Sequence, residues 1–162
     1  MMKARRHPRA RLNVLLTEEG QHTPEHWSRQ LPRLLRAQGV ETYLARTGEE
    51  AMDLTGQVPI HAALIDLATP PDRRRRSGDE HPGGLWLLEV LRRRPDHPPA
   101  VVINNRVFSE RQLQRLMNEA LRLGAFSVVN RPRDLEALLA AIQRVVDRRY
   151  QGHWPTFDEE ME

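Results

Sequence analysis

Short apolar runs alternate along the chain with longer segments whose apolar residues recur at helical spacing. The runs with the length and composition of strands lie at 12–16, 40–45, 62–67, 100–104 and 125–129. The continuous apolar run of the third of these is typical of a strand that is covered on both faces. This pattern predicts five strands, each followed by a helical segment.

The first helical segment has clear start and stop signals. Thr23 and Pro24 predict its N-terminus, and Gly39 predicts its end. Pro32 lies inside this segment, so the helix is expected to kink or to split at Leu31. Its predicted apolar face consists of Trp27, Leu31, Leu34 and Leu35.

The later helices are predicted at 48–54, at 84–94, after Ser109 and after Asp134. Ser109 with Gln112 has the spacing of a capping box, and Gly124 ends the helix that it opens. The inward face of that helix is predicted to be Leu113, Leu116, Met117, Ala120 and Leu121. Strands that alternate with helices in this way indicate an α/β fold, with a parallel sheet between two layers of helices.

Charge divides the chain into a body and three peripheral segments. Nine of the 25 basic residues lie within 1–11 and 73–76, and without them 16 basic residues face 22 acidic ones. The expected organisation is a basic N-terminal arm (1–11), one domain (12–150) with an arginine-rich insertion (71–83), and an acidic tail (151–162). The insertion combines arginines with prolines and glycine, so it is expected to be mobile.

Composition excludes several kinds of protein. The chain has no cysteine, which excludes disulfides and thiolate metal sites and fits a reducing cytoplasm. No apolar run approaches the ~20 residues of a membrane span. No glycine-rich phosphate loop follows the first strand, and no nucleophile–base pair is evident, so we do not expect an enzyme.

Polar residues collect where the predicted strands end. They are Thr17, Glu18, Glu19, Asp66, Asn104, Asn105, Asn130 and Arg131. Ligand sites in open parallel sheets form beyond the carboxyl ends of the strands. An acid at the end of a buried strand, beside another acid, an amide and a cation, is a chemically specific set.

Four stretches resemble the receiver domains of two-component response regulators. Asp66 with Pro70 resembles the third receiver strand, and 84–88 resembles the opening of the third receiver helix. The stretch 99–104 resembles the fourth strand, and Gly124-Ala125 followed by Arg131-Pro132 resembles the ending of the domain. The resemblance implies a flavodoxin-like (βα)5 fold with strand order 2-1-3-4-5.

The resemblance also implies a function for the strand ends. Asp66 would accept a phosphoryl group from a histidine kinase or a phosphotransfer protein. Mg²⁺ would be held by Glu18, Glu19, Asp66 and the backbone carbonyl of Ala68, and Asn104 and Arg131 would contact the phosphoryl group. The expected protein is an atypical single-domain response regulator whose phosphorelay signal passes to a downstream partner protein.

Four positions depart from the receiver pattern. The two acids that usually end the first strand correspond to Thr17 and Glu18, so one carboxylate is lost. Asn104 replaces a hydroxyl residue, Arg131 replaces a lysine, and Val128 occupies the position of an aromatic switch residue. Mg²⁺ binding is therefore expected to be weak.

These departures leave alternatives open. One is a pseudo-receiver, an interaction module that works without phosphorylation and in which Arg131 pairs permanently with Asp66. Another is nucleic-acid binding through the basic arm and the arginine insertion, although no aromatic residues interleave those arginines. A second copy of the chain is a further candidate partner, as a homodimer.

Overall fold

Strands and helices alternate through the whole of the described chain. The computed structural model describes residues 12–18, 27–75, 78, 81–130 and 135–149. The strands are β1 (Leu12–Thr17), β2 (Val40–Ala45), β3 (Ala62–Asp66), β4 (Ala100–Asn104) and β5 (Ser127–Asn130). The helices are α1 (Trp27–Ala37), α2 (Gly48–Gln57), α3 (Gly83–Arg92), α4 (Glu110–Arg122) and α5 (Leu135–Arg149).

The strands form one parallel sheet in the order β2-β1-β3-β4-β5. β3 is the central strand and is buried at every position. All the carboxyl ends lie at one edge of the sheet, where Asp66 is in register with Ile103 and Asn104 with Asn130. The predicted fold class and strand order are confirmed.

Side chains of successive strand residues point to opposite faces of the sheet, and each face is covered by an apolar layer. Leu16 and Leu64 pack with α1 and α5, while Leu15 and Ile65 pack with α2, α3 and α4. The stripe of α5 that faces the sheet is fully buried, at Leu138, Ala141, Ile142, Val145 and Val146. Burial on both faces explains why the strands read as continuous apolar runs.

Local signals set several of the helix ends. Ser109 accepts a hydrogen bond from the Gln112 N–H at 3.1 Å, which confirms it as the N-cap of α4. Gly124, with φ of +100°, follows the same helix in the left-handed conformation. Thr47 caps α2 in the same way, through the Glu50 N–H. The predicted N-cap residues of α1 and α5, Thr23 and Asp134, lie outside the described residues, whereas Gly39, the predicted end of α1, follows that helix with φ of +83°.

One predicted helix end needs correction, and one of the two outcomes predicted at Pro32 is excluded. Of the two outcomes predicted for Pro32, a kink or a split, the split does not occur: α1 is one helix through Pro32, with Leu31 and Leu35 buried in the core. α2 continues through Gly56 to Gln57 rather than ending at 54, and it stops before Pro59.

The inward face of α4 is narrower than predicted. Only Leu116 and Ala120 are buried in this helix, and Leu121 is 49% exposed. Leu34 of α1 is likewise exposed. Both leucines lie at the margin of a helical stripe, where the spacing does not decide which side meets the sheet.

Candidate functional site

The carboxyl edge of the sheet brings together polar side chains from three neighbouring strands. Thr17 and Glu18 end β1, Asp66 ends β3, and Asn104 with Asn105 ends β4. Apart from Asn105, these residues are buried, with at most 2% of their surface exposed. Burial of a polar group costs folding free energy unless the group is hydrogen-bonded, so what the edge can do chemically depends on the hydrogen bonds of these residues.

Hydrogen bonds hold Asp66 through its backbone and through its carboxylate. Its Oδ1 accepts from the Ala68 N–H at 2.9 Å, and its Oδ2 accepts from the Asn105 side-chain amide at 3.4 Å. Its backbone N–H donates to Thr17 Oγ1 at 3.0 Å, and its carbonyl accepts from the Thr69 N–H at 3.0 Å. The carboxylate is therefore presented in one orientation, with N–H donors on both oxygens.

Thr17 and Thr69 join the ends of β1 and β3 through their side chains. Their hydroxyl oxygens are 2.8 Å apart, and both residues are fully buried. The resemblance predicts an acid at the position of Thr17, and in this structure that residue makes a neutral hydroxyl contact. Sequence reasoning noted the lost carboxylate but did not predict this bridge.

Asn104 and Asn105 have different roles in the structure. The Asn104 amide donates to Asn130 Oδ1 at 2.8 Å and to the Arg106 carbonyl at 2.9 Å, and its Oδ1 accepts from the Arg106 N–H. This side chain therefore ties β4 to β5 and shapes the next turn. Asn105 is the residue whose amide reaches Asp66, and the only signal for it in the sequence was its place at the strand end.

Glycines let α3 approach the connection that follows Asp66. A Cβ on Gly83 would collide with the Thr69 carbonyl oxygen, and a Cβ on Gly84 would lie 2.7 Å from the Asp66 carbonyl oxygen. The Gly84 N–H also donates to the Leu67 carbonyl at 2.9 Å. The N-terminus of α3 thus rests directly on the backbone that carries Asp66.

The same connection is braced from α2. The Gly48 and Glu49 N–H groups donate to the carbonyls of Pro70 and Pro71, each at 2.8 Å. The Trp86 ring lies against Gly48 so closely that a Cβ there would be only 2.5 Å from it. Residues 66–71 are therefore held by β1, α2 and α3 together.

Beyond this brace lies the arginine-rich insertion. Asp72 accepts from the backbone N–H groups of Arg74 and Arg75 and from the Arg75 guanidinium, at 2.9 to 3.0 Å. The hydrogen bond from the Arg75 side chain lowers the pKa of Asp72. One charge of the arginine run is thus compensated within the insertion. Its mobility stays a prediction.

A small cavity lies between the connections that follow β3 and β4. Ala68, Gly78 and Pro82 line one side, and Asn104, Arg106 and Phe108 line the other. It has room for about one water molecule. Gly78 brings part of the insertion to the candidate site.

The structure brings together most, but not all, of the predicted site residues. Glu18, Asp66, Ala68 and Asn104 lie at the same edge of the sheet, and the roles assigned to them stay predictions. Glu19 and Arg131, predicted as a metal ligand and a phosphoryl contact, lie outside the described residues. Val128 is half-buried and packs against the layer formed by α2, α3 and α4.

Comparison with known proteins gives likeness of structure only. No protein-family model and no curated protein matches the sequence. A two-component response regulator from Clostridium difficile matches with a TM-score of 0.65 and 18% identity, over 86% of this chain and 98% of that chain. A CheY-like receiver domain protein from Methanospirillum hungatei JF-1 matches with 0.64 and 18%, over 86% and 97%.

A third match is the BeF3-activated N-terminal receiver domain of RstA from Klebsiella pneumoniae. Its TM-score is 0.62 at 16% identity, over 83% of this chain and 97% of that one. The chain therefore has the receiver-domain fold of response regulators, with its Asp66 edge at the carboxyl ends of the strands. In the part of the chain that is described, no helix has the length and apolar character needed to cross a membrane.

Proposed function

We propose that the protein is an atypical response regulator that accepts a phosphoryl group on Asp66 and signals to a partner protein. The donor would be a histidine kinase or a phosphotransfer protein. The observation that supports this best is the placement of Asp66, a buried carboxylate at the carboxyl end of the central strand with N–H donors on both oxygens.

The proposed step is a nucleophilic displacement at phosphorus. A carboxylate oxygen of Asp66 forms an O–P bond while the P–N bond of a phosphohistidine breaks. The electron pair of that bond goes to the imidazole nitrogen, which takes up a proton from solvent. Positive charge or hydrogen-bond donors must balance the negative charge that gathers on the phosphoryl oxygens. Arg131 is the proposed cation for this role.

Magnesium would supply the further positive charge, and this chain offers few ligands for it. Glu18 and Asp66 are hard oxygen ligands at the ends of the paired strands β1 and β3, and the Ala68 carbonyl is the proposed third ligand. Thr17 contributes no charge. Among the described residues no group of three His, Cys, Asp or Glu side chains could hold a metal. The donor set fits a weakly bound Mg²⁺, with a dissociation constant of about 1 mM or more.

Phosphoryl transfer also requires the edge to open. Asp66 is only 2% exposed. The cavity between the connections after β3 and β4 has room for only about one water molecule, so it is too small for a phosphoryl group. The connection after β4 is the segment placed to move, since it carries Asn105 and the 74% exposed Val107. Movement there would release the Asn105 contact and uncover the carboxylate.

Intact-protein mass spectrometry after incubation with acetyl phosphate and Mg²⁺ tests the proposal. Wild type should gain the mass of one phosphoryl group, and Asp66→Asn should gain none. Asp53→Asn is the matched control, because Asp53 is an exposed aspartate on α2. An adduct that persists in Asp66→Asn would show that another residue accepts the group.

A pseudo-receiver is the second candidate, because neutral Thr17 replaces an acid of the receiver pattern and both carboxylate oxygens of Asp66 already accept hydrogen bonds within the chain. In that case the interaction surface would work without phosphorylation. Wild type would then form no adduct, and Asp66→Asn would lower the thermal midpoint, since its new amide would face the Asn105 amide.

A further inference from the structure

The backbone of Asp66 is part of a closed ring of hydrogen bonds. Its N–H donates to Thr17 Oγ1 at 3.0 Å, and Thr17 Oγ1 lies 2.8 Å from Thr69 Oγ1. The Thr69 N–H then returns to the Asp66 carbonyl at 3.0 Å. The ring thus passes through both peptide groups of Asp66 and through two side chains from separate segments of the chain.

Burial makes this ring energetically important. Thr17 and Thr69 are both 0% exposed, so water cannot replace a lost partner. The pairing of β1 with β3 extends from Val14 to Leu16, so the Thr17 side chain continues the contact between the strands beyond their backbone pairing. Removal of its oxygen would leave the Asp66 N–H buried without that acceptor, which carries a full desolvation cost.

The ring also controls where the carboxylate points. Asp66 Oδ1 accepts from the Ala68 N–H, and Ala68 lies inside the turn that the Thr69 N–H closes onto the Asp66 carbonyl. When the N–H and the carbonyl of Asp66 are both fixed, its side chain leaves the strand in one direction. Fixed orientation of a reacting group lowers the barrier to its reaction.

We infer that Thr17 and Thr69 are positioning residues whose hydroxyl bridge holds Asp66 in its reactive orientation without a divalent cation. The inference rests on the proposed role of Asp66 as phosphoacceptor. Thr17 stands where the resemblance places an acid, and a carboxylate there would need a cation to balance its charge. The hydroxyl of Thr17 instead orders the edge through neutral hydrogen bonds.

Amide hydrogen exchange tests the positioning role without a phosphodonor or Mg²⁺. Thr17→Val keeps the shape of the side chain and removes the oxygen. The exchange rate at the Asp66 N–H should therefore rise roughly tenfold beyond the increase that any loss of global stability causes. Thr17→Ser keeps the oxygen and should stay within about twofold of wild type. Thr69→Val, which leaves the Asp66–Thr17 bond in place, should lie between the two.

The matched control is Thr55→Val. The Thr55 hydroxyl donates to the Met52 carbonyl at 2.8 Å within α2 and makes no contact with the ring. Exchange at the Asp66 N–H should be unchanged in this variant. If Thr17→Val exchanges at Asp66 no faster than Thr55→Val does, the positioning role is overturned.

The second measurement is the rate of adduct formation with acetyl phosphate, divided by the concentration of folded protein. The rate of adduct formation should fall about tenfold in Thr17→Val, return in Thr17→Ser and stay unchanged in Thr55→Val. An unchanged rate in Thr17→Val would overturn the inference even if wild type forms the adduct. If wild type forms none, the phosphoacceptor assignment is wrong, and hydrogen exchange alone decides whether Thr17 holds Asp66.

Discussion

Asn105 donates its side-chain amide to Oδ2 of Asp66 over 3.4 Å. The contact is long for a hydrogen bond, and Asn105 is exposed, so it contributes little to stability. Its position is nevertheless important, because the amide covers the carboxylate on the side of the connection that follows β4. We therefore expect Asn105 to shield the proposed phosphoacceptor.

Asn105→Ala should speed up phosphorylation of Asp66. Loss of the amide uncovers the carboxylate, and we expect the rate of adduct formation with acetyl phosphate to rise about threefold, with a stability change below about 0.5 kcal/mol. Asn118→Ala, at an exposed position on α4, is the matched control. A slower reaction in Asn105→Ala would mean that the amide stabilises the transition state rather than covering the nucleophile.

Gly84 and Gly56 should respond to alanine with opposite signs. A Cβ at Gly84 would lie 2.7 Å from the Asp66 carbonyl oxygen and from Leu67 Cα, so Gly84→Ala should cost about 2 kcal/mol or more of unfolding free energy. Gly56 is an exposed helical residue of α2 with no heavy atom closer than 4.0 Å to such a Cβ. Gly56→Ala should stabilise by about 0.5 kcal/mol.

Urea unfolding of the two variants measures this difference directly. Equal effects would show that α3 does not press on the backbone of Asp66 as closely as the structure indicates.

The fold could be predicted from sequence because its signals are local and repeated. Apolar runs, the Ser109 cap and Gly124 each predict one element or boundary, and their order predicts the parallel sheet. The predictions failed where position around a helix was ambiguous. Leu121 has the spacing of an inward residue, yet it lies at the margin of the buried stripe and is half exposed.

The candidate site was only partly predictable, because hydrogen bonds between distant residues leave no spacing signal. Asp66, Glu18 and Asn104 could be named, since each ends a strand. The bridge between Thr17 and Thr69 joins residues 52 positions apart, and nothing in the sequence pairs them. Asn105 rather than Asn104 contacts Asp66, because the Asn104 amide donates its hydrogen bond to Asn130 on the neighbouring strand.

Acidification should weaken the amino end of the sheet through His61. Its Nδ1 accepts from the Asn13 N–H at 2.9 Å, and its backbone N–H donates to the Asn13 carbonyl at 2.8 Å. Burial lowers the pKa of His61 from 6.5. The folded state therefore prefers the neutral ring, so the stabilisation is present above pH 6.5 and is lost as the pH falls through the lowered folded value.

His61→Asn separates this effect from general acid denaturation. Asn offers an acceptor near the position of Nδ1 but does not titrate. Urea midpoints at about pH 7.5 and about pH 5.5 should fall more on acidification in wild type than in the variant. Parallel losses in both proteins would rule out His61 as the cause.

Thr17→Asp should raise the affinity of the carboxyl edge of the sheet for Mg²⁺. The variant adds a carboxylate near Glu18 and Asp66, so without Mg²⁺ it should lose about 1–3 kcal/mol of stability. Its Mg²⁺ affinity should rise about tenfold or more over the wild-type dissociation constant of about 1 mM, because affinity follows the number of charged ligands. Thr17→Asn, of similar size without charge, should gain no affinity.

Calorimetric titration with Mg²⁺ and thermal melts of the three proteins measure both effects. Micromolar Mg²⁺ binding to wild type would contradict the weak site described for Glu18 and Asp66.

The most direct test of the central proposal is the position of the phosphoryl group. Wild type is incubated with acetyl phosphate and Mg²⁺, digested under conditions that preserve acyl phosphates, and mapped by peptide mass spectrometry. We predict a single phosphorylated peptide whose fragments place the group on Asp66. A group found on any other residue, or no phosphorylated peptide from protein shown to be folded, would contradict the assignment of Asp66 as phosphoacceptor.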